Sequence, residues 1–174
     1  MNRKILIAIS CFATLMPILC FGFDCNNLPF GASLQELNND GYFVKYMERG
    51  GVVYYNYTGP CKMSFHSVKN PAISYAFIND QLYAQLLTVT GVSIETIDPE
   101  IEKHISLYVK SPNVKRTQEG DWVFFQGVNE KEKIKLKAKI NTKLRLQKGA
   151  IYYEPLREKL KAQSQSIDPI DEVE

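Results

Sequence analysis

The sequence predicts an α+β domain: a mostly antiparallel twisted sheet, built as a meander plus C-terminal strands, with two or three helices packed on one face. Three observations carry this. Residues 42–90 are rich in Tyr, Val, Phe, Ile and Thr and are cut at regular intervals by turn signals. Capping residues mark short helices, and residues 133–147 alternate strictly between apolar and polar or charged side chains. At 174 residues, with 45% hydrophobic and 23% charged residues, the chain suits one globular domain.

The first 22 residues read as a signal peptide. Arg3 and Lys4 precede an apolar stretch from Ile5 to Phe21, and Cys20-Phe21-Gly22 places cleavage before Phe23. The expected organisation is a signal peptide at 1–22, a single domain at 23–162 and a disordered acidic tail at 163–174. A retained signal would act as a membrane anchor, but Pro17 interrupts its helix; after cleavage no transmembrane anchor is expected. The chain is therefore expected to be exported, to a bacterial periplasm or the secreted fraction. Loss of Arg3 and Lys4 leaves equal numbers of basic and acidic residues, which does not support nucleic acid as a partner.

Cys11 and Cys20 leave with the signal, so Cys25 and Cys61 are the expected disulfide. Closing that loop stabilises the fold by about 3.8 kcal/mol in the chain-entropy account. There is no C-x-x-C that would mark a redox-active pair.

Along the mature chain, Ser33 and Glu36 form a capping box for a short helix that stops near Asp40-Gly41. Strands are expected near 42–48, 52–58, 62–68, 72–78 and 81–90, separated by Gly50-Gly51, Gly59-Pro60, Asn70-Pro71 and Asn79-Asp80. Asp98-Pro99 opens a second helix with Ile101, Ile105 and Tyr108 on one face, ended by Lys110-Ser111-Pro112. Trp122 to Gln126 reads as a strand. From Ile134 to Leu146 every even position is apolar or Thr, which fits one long strand or a hairpin; a three-residue loop pairing Ile140 with Leu144 would keep the faces separate. Ala150 to Glu154 and Pro155 to Ala162 complete the domain as a strand and a short helix, and no internal repeat is evident.

No catalytic, metal or cofactor motif stands out, and no cofactor is expected. The two histidines, His66 and His104, lack partners at metal spacing, and no nucleophile elbow surrounds Ser64 or Ser67. Two surface features invite a partner. Lys133, Lys135, Lys137, Lys139, Lys143 and Arg145 share the odd face of the alternating segment, where an acidic protein, an anionic glycan or a lipid headgroup would bind. Tyr54, Tyr55 and Tyr57 concentrate aromatic area in one hairpin, with Tyr54 on the opposite face from the other two. The expected function is an exported noncatalytic protein-interaction module: an accessory subunit, inhibitor or immunity-type binder. A carrier or sensor of an anionic ligand is the alternative, and a hydrolase using His66 a third reading.

Overall fold

The computed structural model describes Phe23, Cys25, residues 27–60, 71–91, Pro99, Lys103, and residues 105–110 and 113–163. The expected strand at 62–68, His66, His104 and Cys61 lie outside them. Eight strands form one antiparallel sheet: β1 (Phe43–Arg49), β2 (Val52–Tyr57), β3 (Ala72–Ile78), β4 (Gln81–Thr90), β5 (Val114–Glu119), β6 (Trp122–Asn129), β7 (Ile134–Asn141) and β8 (Leu146–Tyr153). Two short helices are α1 (Leu34–Leu37) and α2 (Glu154–Gln163).

The fold class is therefore corrected. Among the described residues the fold is mostly an eight-stranded antiparallel sheet with two short helices, and not an α+β domain with two or three helices packed on a face. The capping box of α1 forms as expected, with the Glu36 amide donating to Ser33 Oγ at 3.3 Å and the Ser33 amide to Glu36 Oε2 at 2.7 Å. It caps a single turn with no buried residue, because Asn38 turns the chain and accepts from the Phe43 amide at 3.0 Å. The short helical turn at Ile105 and Ser106 packs with Tyr108 and Val109 on one face of the sheet, and α2 packs on the other.

The strand order is β1-β2-β3-β4-β8-β7-β6-β5. Two four-stranded meanders, β1 to β4 and β5 to β8, thus meet through their last strands, and a pseudo-two-fold axis passes through the Leu86–Ala150 pair. The expectation of no internal repeat is overturned by this topology. Beside the first turns, Glu48-Arg49-Gly50-Gly51-Val52-Val53-Tyr54-Tyr55-Asn56 corresponds in register to Gln118-Glu119-Gly120-Asp121-Trp122-Val123-Phe124-Phe125-Gln126. Only two of these positions are identical, so the likeness lies in the pattern: a tight two-residue turn followed by alternating large residues. Gly50 and Gly51 both adopt positive φ, as a hairpin with matching twist requires, and Gly120 does so at the related turn.

One face of the sheet carries the larger core. Ile73, Tyr75, Phe77, Leu87 and Val89 from the first half meet Val123, Phe125, Leu136, Ile140 and Ile151 from the second, under Cys25, Leu28, Ile105 and Val109. Phe23 seats its ring 5.2 Å from Phe43 and 5.1 Å from Tyr75 in edge-on contacts. Buried Gln85 holds the amino segment by donating to the Cys25 carbonyl and to the Tyr75 hydroxyl, both at 3.0 Å. Gly127 lets the segment at Val109 approach: a Cβ there would sit 3.1 Å from Val109 Cγ1. On the opposite face, α2 seats Leu156 and Leu160 over Val52, Tyr54, Ala76, Ile78, Leu86 and Tyr152. Burying those two leucines contributes roughly 1.5–3 kcal/mol each, which fixes the helix across β8, β4, β3 and β2.

The alternating segment resolves into the β7–β8 hairpin. Its loop has four residues, Thr142 to Arg145, closed by the Leu144 amide donating to Asn141 Oδ1 at 2.7 Å. Ile140 consequently pairs with Gln147 rather than with Leu144, and even positions of β7 share a face with odd positions of β8. Leu144 is left in the loop, 67% exposed. The strict alternation was thus a property of two strands with a change of parity between them.

Candidate functional site

The parity change dissolves the expected row of six cations. Lys133 lies in the β6–β7 turn with φ 57°, Lys143 lies in the β7–β8 loop, and Arg145 ends that loop with φ 53°. Arg145 donates to the Gly91 carbonyl at 2.9 Å, tying the loop to the end of β4. Only Lys135, Lys137 and Lys139 remain together on β7, each half-buried.

The change of parity brings in a residue that the odd-even pattern missed. Lys148 of β8 stands directly opposite Lys139 across the strands. On the other side Lys139 pairs with Phe124, and its ammonium lies 5.4 Å from the centre of the Trp122 ring. Trp122 and Phe124 stack at 6.4 Å with an interplanar angle of 28°. Lys137 pairs with Gln126, and Lys115 of the edge strand β5 extends the same rung. The result is a basic and aromatic surface of Trp122, Phe124, Lys137, Lys139 and Lys148 on the face where α2 covers only the other half.

Symmetry makes the contrast sharp. Under the pseudo-two-fold, Ala76 and Ala84 occupy the places of Lys139 and Lys148, and Val52 and Tyr54 those of Trp122 and Phe124. The first set is buried under α2, with Ala76 and Ala84 both at 0% exposure. In the second set the paired alanines are paired lysines. Like charges directly opposite on one face of a sheet repel each other, and this pair concentrates positive charge at the centre of the surface.

At the far end of β7 the surface changes character. Lys135 Nζ reaches Glu154 Oε1 at 2.9 Å, and Arg157 Nη1 approaches the same oxygen at 3.4 Å while its guanidinium lies 5.1 Å from the Tyr152 ring centre. Glu154 Oε2 is buried without a hydrogen-bond partner among the described residues. Lys135 and Glu154 border a cleft of about 290 Å³ lined also by Val128, Glu130, Lys133, Ile134, Pro155 and Glu158. Three carboxylates make this cleft a poor seat for an anion. A second cavity, about 20 Å³ beside Gln147 and Gly149, has room for about one water.

The tyrosine hairpin is placed differently from the reading as a partner surface. Tyr54 is 1% exposed beneath α2, so it cannot meet a partner. Tyr55 and Tyr57 lie on the opposite face, as alternation requires, half-buried against the main core. Burial first, then Tyr42 and Asp40 nearby, raises the Tyr57 hydroxyl above the usual 10.0. Lys45 is likewise raised, by its 2.6 Å hydrogen bond to Glu48, but both groups are exposed. Among the described residues, no group of three or more His, Cys, Asp or Glu side chains is placed to hold a metal ion, and no helix is long and apolar enough to cross a membrane.

No protein-family model matches the chain, and no curated protein matches it. Among solved structures it is similar to a cysteine-rich secretory protein from Staphylococcus aureus subsp. aureus Mu50, at 11% identity and a TM-score of 0.40. The match covers 80% of this chain and 51% of that one, so the chain spans about half the length of that structure.

Proposed function

We propose that the protein is an exported, noncatalytic interaction module that binds an acidic protein surface through Trp122, Phe124, Lys137, Lys139 and Lys148. The observation that supports this most is the Lys139–Lys148 pair at the place where the other half of the sheet has the Ala76–Ala84 pair. The two lysines place positive charge at the centre of the surface, which attracts an acidic partner, while Trp122 and Phe124 supply desolvated area. Export rests on the signal-like segment at 1–22 and on the expected pairing of Cys25 with Cys61; Cys25 is buried beside the aromatic cluster.

The alternative, an anionic glycan or lipid headgroup as ligand, draws on the same cations but gains nothing from the acid-lined cleft beside Lys135. The experiment is a pull-down from the native exported fraction with the oxidised chain and with its Lys137→Glu/Lys139→Glu/Lys148→Glu variant. Capture of a specific acidic protein, reduced at least about tenfold in the variant, is the expected result. Equal capture by a correctly folded variant overturns the assignment of this face. Binding of anionic vesicles or glycans with no protein captured favours the alternative.

A further inference from the structure

The sheet ends in two outer strands, β1 and β5, which the pseudo-two-fold relates to each other. They differ in how each is guarded against pairing with another strand. β1 carries a register shift between Lys45 and Met47, which bends it, and its Lys45 and Glu48 are already joined to each other at 2.6 Å. β5 pairs with β6 without any shift from Val114 to Glu119, and its residues from Lys115 to Glu119 are exposed. Among the described residues no strand lies beyond it.

The charges of β5 run in one direction: Lys115 and Arg116 at its start, Thr117 and Gln118 at its middle, Glu119 at its end. Lys115 and Glu119 share the face of Phe124 and Trp122, but stand about 13 Å apart at roughly 3.3 Å per residue, too far to pair with each other. An antiparallel copy of the same strand, centred on Thr117, reverses the order. Lys115 of each copy then stands directly opposite Glu119 of the other, Arg116 opposite Gln118, and Thr117 opposite its own counterpart. This register makes two cross-strand ion pairs and sets no like charges opposite each other. Charge on an edge strand ordinarily prevents pairing, yet here the strand is complementary to itself.

We infer that two copies of this chain associate through β5, antiparallel about Thr117, and join their eight-stranded sheets into one. The two-fold axis of such a pair is normal to the sheet, so the basic and aromatic surfaces of both copies lie on the same side and neither is covered. An edge of six residues buries less than a standard interface, which makes the dimer a weak one that forms as concentration rises.

Sedimentation equilibrium of the oxidised chain between about 10 μM and about 1 mM reads this association, and the expected mass rises from monomer toward dimer. Lys115→Glu and Glu119→Lys each set like charges opposite at both ends of the pair, and each should raise the dissociation constant at least about tenfold. Both positions are exposed, so the folded monomer is retained. The exchange Lys115→Glu/Glu119→Lys should restore association. Mixing the two single variants should give a heterodimer, since one then offers only anions at these positions and the other only cations. A chain that stays monomeric over the whole range overturns the proposal. A dimer that neither single change weakens places the contact elsewhere and overturns it too, as does an exchange variant that remains monomeric. No acidic partner enters this readout, so its outcome is separate from that of the pull-down.

Discussion

The two halves of the sheet share one topology and treat the α2 face in opposite ways. In β1 to β4 it is apolar and closed by α2; in β5 to β8 the related positions carry lysines and two aromatic rings, half-buried and with no helix over them among the described residues. Strand order is shared, and the register shifts at Lys45/Met47 and Ala76/Phe77 still leave the Ala76–Ala84 and Lys139–Lys148 pairs in related places, so backbone does not explain the difference. It lies in side chains: small or apolar residues where a helix must seat, long cations where none does. One half of the face is spent on stability, and the other is free to evolve a surface.

The largest effect should come from moving a charge across that symmetry. Ala76→Lys places a cation under α2 and is expected to cost about 3 kcal/mol or more in urea unfolding, whereas Lys139→Ala should stay within about 0.5 kcal/mol of wild type. Comparable losses would mean that the halves are not energetically distinct. The next effect comes from the aromatic pair. Tyr54→Ala opens a cavity beneath α2 and should cost about 3–5 kcal/mol, while Phe124→Ala, half-buried at the related place, should cost about 1 kcal/mol.

How much of this was legible in the sequence follows from where each signal is local. The turns at Gly50-Gly51 and Asn79-Asp80, the Ser33–Glu36 capping box and four of the five meander strands follow from nearby residues and appear in the structure. β5 escaped because Lys115 to Glu119 is wholly polar: it is an exposed edge strand defined only by pairing with β6, where no alternation is selected. The β7–β8 register escaped because an uninterrupted alternation hid a loop that changes parity, so Lys148 was missed while Lys133, Lys143 and Arg145 were assigned to a face they do not share. The repeat was hidden because its halves keep a pattern of large and small residues with few identities.

A smaller effect is expected at the border of the two regions. Glu154→Gln removes the carboxylate that Lys135 and Arg157 approach, and should lower stability by about 0.5–1 kcal/mol, less at high salt because Lys135 is substantially exposed. The smallest is a pH effect confined to the first half. Because burial raises the Tyr57 pKa in the folded state, its contribution is fully present below the unfolded value near 10 and is lost as pH rises through the folded value. Tyr57→Phe should therefore flatten the stability profile above pH 10 and leave it unchanged at neutral pH.

The most direct test of the central claim is the urea unfolding of Lys139→Ala/Lys148→Ala, read beside its capture of the acidic partner. If the pair is there for binding, removing the opposed charges leaves the fold as stable or raises it by about 0.2–1 kcal/mol while capture is lost. If the variant instead loses about 2 kcal/mol or more, the two lysines hold the sheet together, and the open half of the molecule is structural after all.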